Sequence, residues 1–130
     1  MKTNKDIVLN FFNEVVNGKK LSEIESFIHR DYTVHGFPVE AKGPEAMKQI
    51  TGMMFSSFHD IHVTMEGIIE ENNSVGTHGY WTGSHNGEFM GIPATGKKVK
   101  VNFVEIWNIK DDKLHENWVQ MDFTGLMKQL

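Results

Sequence analysis

The spacing of apolar side chains changes once along this chain, from a helical repeat in the first half to strict alternation in the second. Up to about residue 58, apolar positions recur at intervals of three and four, which is typical of amphipathic helices. From Ile61 onward they alternate with polar positions, which is typical of strands with one buried face. Helices followed by strands predict an α+β fold.

The helical half divides into three predicted helices. The first begins at Thr3 or Asn4, either of which can cap it, and ends at the Asn17 and Gly18 pair. A shorter one covers residues 21–31, and the third covers residues 43–58 with a proline in its first turn. Each helix has an apolar stripe that needs a partner surface.

The second half predicts two long hairpins and a short final helix. One hairpin covers residues 61–84 and turns at Asn72 and Asn73; the other covers residues 98–122 and turns at Asp111 and Asp112. The final helix covers residues 124–130. We expect a single domain, residues 1–130, in which three N-terminal helices cover a cone-shaped, curved antiparallel sheet that encloses a pocket.

Composition narrows the possible functions. The chain has 130 residues, a net charge of −4, no cysteine and only one arginine, Arg30. The lack of cysteine excludes disulfides, thiolate metal sites and a cysteine nucleophile, and a single arginine argues against a nucleic-acid partner. No apolar run approaches the roughly 20 residues that span a bilayer, so no membrane partner is expected. An amphipathic N-terminus predicts a cytoplasmic location.

The last predicted strand carries a candidate acid–base group. Trp118, Gln120 and Asp122 share one face of that strand. If this face points inward, burial beside aromatic rings raises the pKa of the Asp122 carboxyl and suits it to proton transfer. The alternative is that Asp122 caps the final helix, and its spacing alone favours the cap.

Other polar residues each have a functional and a structural interpretation. His35 and His85 can exchange a proton, and Asn108 can donate a hydrogen bond to a ligand carbonyl, but all three also suit structural roles. His59 and His62 lie across a predicted helix-to-strand transition without a third ligand nearby, so no metal site is predicted.

Five segments together resemble the SnoaL-like polyketide cyclases, also called ester cyclases. They are TGSHNGEFMGIPATGKK at 82–98, FVEIW at 103–107, LHENW at 114–118, Asp122, and GLMKQL at 125–130. The likeness extends back to the first helix and covers nearly the whole chain. It implies the nuclear-transport-factor-two-like fold, an α+β cone that commonly forms a homodimer.

The resemblance also implies a mechanism. A carboxylate at the position of Asp122 moves a proton from an activated carbon to a carbonyl oxygen during intramolecular aldol ring closure, with no metal or cofactor. Family members carry histidine near the position of Asn108 and Glu-His-Trp at 116–118, where this chain has Glu-Asn-Trp. Asp122 and Asn108 are therefore the expected catalytic residues. The expected substrate-binding residues are His35, His85, Trp118 and Gln120.

Three functions remain open on these grounds. The first is a cyclase or isomerase that acts on a small hydrophobic carbonyl compound such as a polyketide-like ester. The second is a non-catalytic protein that binds a small hydrophobic ligand, since eight methionines suit an adaptable apolar pocket. The third is an interaction domain whose exposed sheet face dimerises, with Trp107 or Trp81 at the interface.

Overall fold

A computed structural model describes residues 2–37, 39 and 41–130 and confirms the α+β class. Five strands form one curved, open sheet in the order β1-β5-β4-β3-β2. The strands are β1 Ile28–His35, β2 His62–Glu71, β3 Ser74–Ser84, β4 Lys98–Lys110 and β5 Lys113–Met121. The helices are α1 Asn4–Phe11, α2 Ile24–Phe27, α3 Pro44–Ser57 and α4 Phe123–Gln129.

Local capping determines where α1 and α3 begin. The Thr3 hydroxyl accepts the Asp6 N–H at 3.1 Å, and the Asp6 carboxylate accepts the Thr3 N–H at 3.0 Å, which satisfies two free donors. The chain continues beyond α1 as a π-helical segment, Phe12–Asn17, so the first predicted helix is confirmed with a wider last turn. Helix α3 begins at Pro44, as predicted.

The chain after α2 is a strand, although the sequence predicted helix as far as Asp31. Helix α2 ends at Phe27, and β1 pairs in parallel with β5. The run Tyr-Thr-Val at 32–34 favours extended backbone. The partner strand lies more than 80 residues away, so local periodicity does not reveal the pairing. The sheet is therefore mixed and not purely antiparallel.

Both predicted hairpins are confirmed. Strands β2 and β3 turn at Asn72, and β4 and β5 turn at Asp111 and Asp112. These three residues have positive φ angles of 55°, 54° and 58°. Asparagine and aspartate tolerate this left-handed conformation better than most residues, and it matches the twist of the adjoining strands.

A β-bulge at His115 determines which side of β5 faces the interior. Ile109 pairs with Leu114, whereas Asn108 pairs with Glu116, so β5 has one residue more than β4 between these pairs. Because side chains alternate along a strand, one extra residue exchanges the two faces beyond it.

The exchange reverses the face predicted for the end of β5. Asn117 and Val119 are buried, and Met121 packs against the core. Trp118 and Gln120 point away from the helices and are exposed. The inner face of β5 beyond the bulge is thus formed by Asn117, Val119 and Met121.

The helices close the inner face of the sheet through aromatic contacts. The rings of Phe11 and Phe12 each lie 5.9 Å from that of Trp107 on β4. Trp107 and Trp81 are 1% and 4% exposed, so neither tryptophan lies at the surface as the interaction-domain hypothesis required. Within the described ranges, no helix is long and apolar enough to cross a membrane.

Two glycine substitutions test this packing. A Cβ on Gly79 of β3 would lie 2.1 Å from the Thr64 carbonyl oxygen, whereas a Cβ on Gly52 of α3 would meet no described residue within 4 Å. We expect Gly79→Ala to lower the free energy of unfolding by about 2 kcal/mol or more. Gly52→Ala should raise it by about 0.5–1 kcal/mol through helix propensity. Urea denaturation of both variants measures the two effects, and equal effects would contradict the close approach of β2 and β3.

Candidate active site

A cavity of about 100 Å³ lies between the inner face of the sheet and the helices. Its lining comes from α1, the π-helical segment, α3 and all five strands, and is mostly aromatic and aliphatic. Among the described residues that line it, only Glu105 and Tyr32 are titratable and none is cationic. No cluster of three or more metal-binding side chains occurs within the described part of the chain.

Glu105 is the one carboxylic acid among the described residues that line this cavity. It lies on the inner face of β4 with Phe103 and Trp107 on either side along the strand. Its Oε2 atom is buried and has no hydrogen-bond partner within the described part of the chain. Burial raises the pKa of Glu105 to about 8, and the nearby Trp107 indole offsets only part of this rise. The carboxyl is therefore mostly protonated at neutral pH and exchanges its proton within the physiological range.

Three further buried polar atoms of the cavity lining have no hydrogen-bond partner among the described residues: Tyr32 Oη, Trp107 Nε1 and Asn117 Oδ1. Asn117 lies directly across from Trp107 in the β4–β5 pair and across from Val34 in the β1–β5 pair. Burial and the Glu105 charge raise the pKa of Tyr32, and the Asn117 amide opposes this, so the phenol stays a donor. Each unpartnered buried group costs about 1–3 kcal/mol, which a ligand with complementary groups would recover.

The sequence analysis assigned no role to Glu105, although the alternation of β4 contained the signal. Val101, Phe103, Glu105 and Trp107 share one parity, and the other three are apolar. A carboxylic acid at a strand position where the neighbours on the same face are apolar costs free energy to bury and departs from the usual burial preferences. That exception marks a candidate functional residue.

Asp122 lies outside the cavity and is exposed. It is the N-cap of α4, and its Oδ1 accepts the Gly125 N–H at 2.9 Å. The capping interpretation is thus confirmed. Asp122 caps α4 because this helix begins immediately after β5 ends.

Asn108 lies near the turn of the β4–β5 hairpin and does not line the cavity. Its Oδ1 is 3.1 Å from His115 Nδ1, and its amide donates to the Asn73 carbonyl at 3.5 Å. The first contact lies within the β4–β5 hairpin, and the second joins this hairpin to the turn of the β2–β3 hairpin. Asn108 thus makes structural contacts at this end of the sheet.

His35, Trp118 and Gln120 lie on the outer face of the sheet, because the His115 bulge turns that side of β5 away from the helices. The His35 imidazole is 2.6 Å from the Glu116 carboxylate and stacks on the Trp118 ring at 5.3 Å. These residues lie together but do not line the cavity.

His85 is fully buried, but it also lies outside the cavity lining. Its Nδ1 accepts the Thr95 backbone N–H at 3.1 Å, and its own backbone pairs with Gly96 and Lys97. These bonds close the loop of residues 86–97 onto the end of β3. His85 therefore anchors a loop in this structure.

Comparisons with known proteins agree with the fold. The family model described as SnoaL-like polyketide cyclase matches residues 6–130. The aklanonic acid methyl ester cyclase DnrD of Streptomyces peucetius is 28% identical over 100% of this chain and 92% of its own. The nogalonic acid methyl ester cyclase of Streptomyces nogalater is 28% identical over 88% of this chain and 87% of its own.

A solved structure shows the same fold. TsrD from Streptomyces laurentii superposes with a TM-score of 0.87 at 24% identity, over 96% of this chain and 92% of its own. The family match covers the helices, the whole sheet and the cavity between them. This chain therefore belongs to the SnoaL-like polyketide cyclase family.

Proposed function

We propose that this protein is a cyclase that rearranges a small hydrophobic carbonyl compound, of the polyketide ester type, with Glu105 as its general acid–base. The observation that supports this most directly is a carboxyl with a pKa of about 8 in an apolar cavity. The relatives named as methyl ester cyclases support the substrate class. The proposed reaction takes place in the cytoplasm.

The first step of the proposed reaction forms an enolate. The Glu105 carboxylate removes a proton from the carbon next to a substrate carbonyl, so that a C–H bond breaks and negative charge develops on the carbonyl oxygen. The hydroxyl of Tyr32 and the indole N–H of Trp107 are neutral donors close to this position. In an apolar cavity such donors stabilise the developing charge more strongly than in water.

The second step forms the ring. The enolate carbon attacks a second carbonyl of the same molecule, a C–C bond forms, and the protonated Glu105 returns its proton to the new alkoxide oxygen. Reactant and product are isomers, so the reaction needs no oxidant, reductant or second substrate. Residues of this chain thus supply all the acid–base chemistry that the proposal requires.

Cavity size bears on which molecule enters. The volume of about 100 Å³ is below the roughly 150 Å³ of an engineered cavity that holds benzene. A ring-containing substrate therefore requires the wall to move outward. Met47 and Met54 of α3 are part of that wall, and their flexible side chains adapt readily.

Turnover by active-site variants tests the proposal. With aklanonic acid methyl ester as substrate and chromatographic detection of the cyclised product, Glu105→Gln should lower kcat by about 100-fold or more. Because the base acts in its ionised form, kcat/KM of the wild type should rise with pH up to about 8 and then level off. Glu66→Gln, an exposed change of the same kind on β2, is the control.

Asp122→Asn separates this proposal from the mechanism that the family resemblance implies. Asparagine is also a good N-cap, so this variant keeps α4 and should keep turnover. Loss of turnover in Asp122→Asn with retention in Glu105→Gln would transfer the acid–base role to Asp122. Ligand binding without turnover by the wild type would instead support the binding-protein alternative.

The dependence of stability on pH provides a second test. Folding raises the pKa of Glu105 from 4.5 to about 8, so between these values the folded state holds a proton that the unfolded state has released. The free energy of unfolding should therefore fall as pH rises through this window, by a few kcal/mol in total. Thermal denaturation from about pH 5 to about pH 8 should show this fall in the wild type but not in Glu105→Gln. Parallel curves for the two proteins would contradict the burial of an ionisable carboxyl.

The outer face of the sheet supports the further proposal of a homodimer. Ile69, Ile106 and Trp118 are 74%, 49% and 42% exposed. Strand register places them in one row with Gly76 and His35, which crosses all five strands. An apolar row of this length is typical of an interface, and the same row on a second copy is complementary to it across a two-fold axis.

Sedimentation measures this association. Ile106→Lys should raise the dimer dissociation constant at least about tenfold, because the charge would be buried at the centre of the row. Met90→Lys is the matched control, since Met90 is also exposed, at 57%, but lies in the loop of residues 86–97. A wild-type monomer at micromolar concentration would contradict the homodimer.

A further inference from the structure

The four unpartnered polar atoms of the cavity form one cluster of mixed hydrogen-bonding character. Glu105 and Trp107 share the inner face of β4, and Asn117 lies directly across from Trp107 on β5. Tyr32 lines the same cavity. Tyr32 and Trp107 supply donors, whereas Asn117 Oδ1 is only an acceptor. A carbonyl oxygen can satisfy the two donors, but it leaves the Asn117 acceptor unsatisfied.

From this arrangement we propose that Asn117 is a specificity residue that selects substrates with a hydroxyl or enol O–H beside the reacting carbonyl. The inference rests on the proposed function, because it concerns the substrate of the same cavity. The substrate's O–H donates to Asn117 Oδ1 while its carbonyl accepts from Tyr32 and Trp107. The preferred substrate class is therefore a neutral hydroxyketone or enolised dicarbonyl compound.

The surroundings of Asn117 favour recognition over a structural role. It is 3% exposed, and its Oδ1 bonds to no backbone or side-chain group in the described part of the chain. An amide kept for structure normally bonds to the backbone, as Asn17 does with Val63 at 2.7 Å and 3.0 Å. An apolar side chain of similar size at position 117 would pack without the cost of an unsatisfied acceptor.

Charge limits the substrate further. The described lining contains no lysine, arginine or histidine, so a carboxylate or phosphate would enter without a counter-ion. The polar end of the substrate is therefore uncharged and is recognised through hydrogen bonds alone.

Equilibrium binding of two small probes of similar size tests the inference without requiring turnover. The probes are meta-hydroxyacetophenone and meta-methylacetophenone, which differ only in a hydroxyl and a methyl group, with binding measured by calorimetry. A merely apolar cavity prefers the methyl compound, because a methyl group transfers from water more favourably. We expect the opposite order, with the hydroxyl compound bound about tenfold more tightly.

Variants assign the preference to Asn117. Asn117→Leu should reverse the order of the two probes without lowering the melting temperature, whereas Asn102→Leu, an exposed change on β4, should leave the order unchanged. Tyr32→Phe should weaken both probes by a similar factor, since both contain the carbonyl. Melting temperatures verify that each variant is folded.

Each outcome has a distinct meaning. Tighter binding of the methyl compound to the wild type, or an unchanged order in Asn117→Leu, would overturn the role of Asn117 and leave the proposed acid–base reaction intact. Lack of binding by either probe would also overturn it. The proposed reaction is decided separately by turnover of Glu105→Gln.

Discussion

A twisted open sheet cannot cover its own concave face, and the molecule depends on how the helices from the first half of the chain do so. The rings of Phe11 and Phe12 contact the sheet at Trp107, and α3 lies beside the same cavity. Helices that cross a twisted surface do not touch it along their whole length. The space that remains is the cavity, so the contacts that stabilise the fold also define the position and the lining of this cavity.

Because the helices cover the sheet, the polar groups of the cavity lose their contact with water, and this loss costs free energy. The carboxyl of Glu105 would be more stable in water, and a hydrophobic residue in its place would pack against Phe103 and Trp107. Its raised pKa expresses that cost, and the same shift suits the carboxyl to receive and return a proton near neutral pH. Stability and reactivity thus oppose each other at one side chain, which is common at functional sites.

Periodicity predicted the parts of the fold that depend on local contacts. Helices α1 and α3 and both hairpins follow from spacing, capping and turn residues. The prediction of helix as far as Asp31 was wrong, because strand β1 depends on pairing with β5. That strand is remote in sequence, so helical spacing around residue 28 does not reveal the pairing.

The candidate site was predictable in part. The place of Glu105 in the apolar register of β4 is visible in the sequence, but the family resemblance directed attention to Asp122. The inner face of β5 was not predictable, because a bulge depends on how two strands pair and not on either strand alone. Asn117 therefore became a candidate only once the pairing was known.

The bulge at His115 lets the length of β5 determine which of its residues line the cavity. Deletion of His115 would remove the extra residue and bring Trp118 and Gln120 to the inner face, while Asn117 would move to the outer face. A change in length of one residue would thus exchange the inner and outer surfaces of β5 with every other residue retained. The proposed substrate recognition and the proposed self-association use alternate residues of one strand, and the register of that strand decides which surface each residue forms.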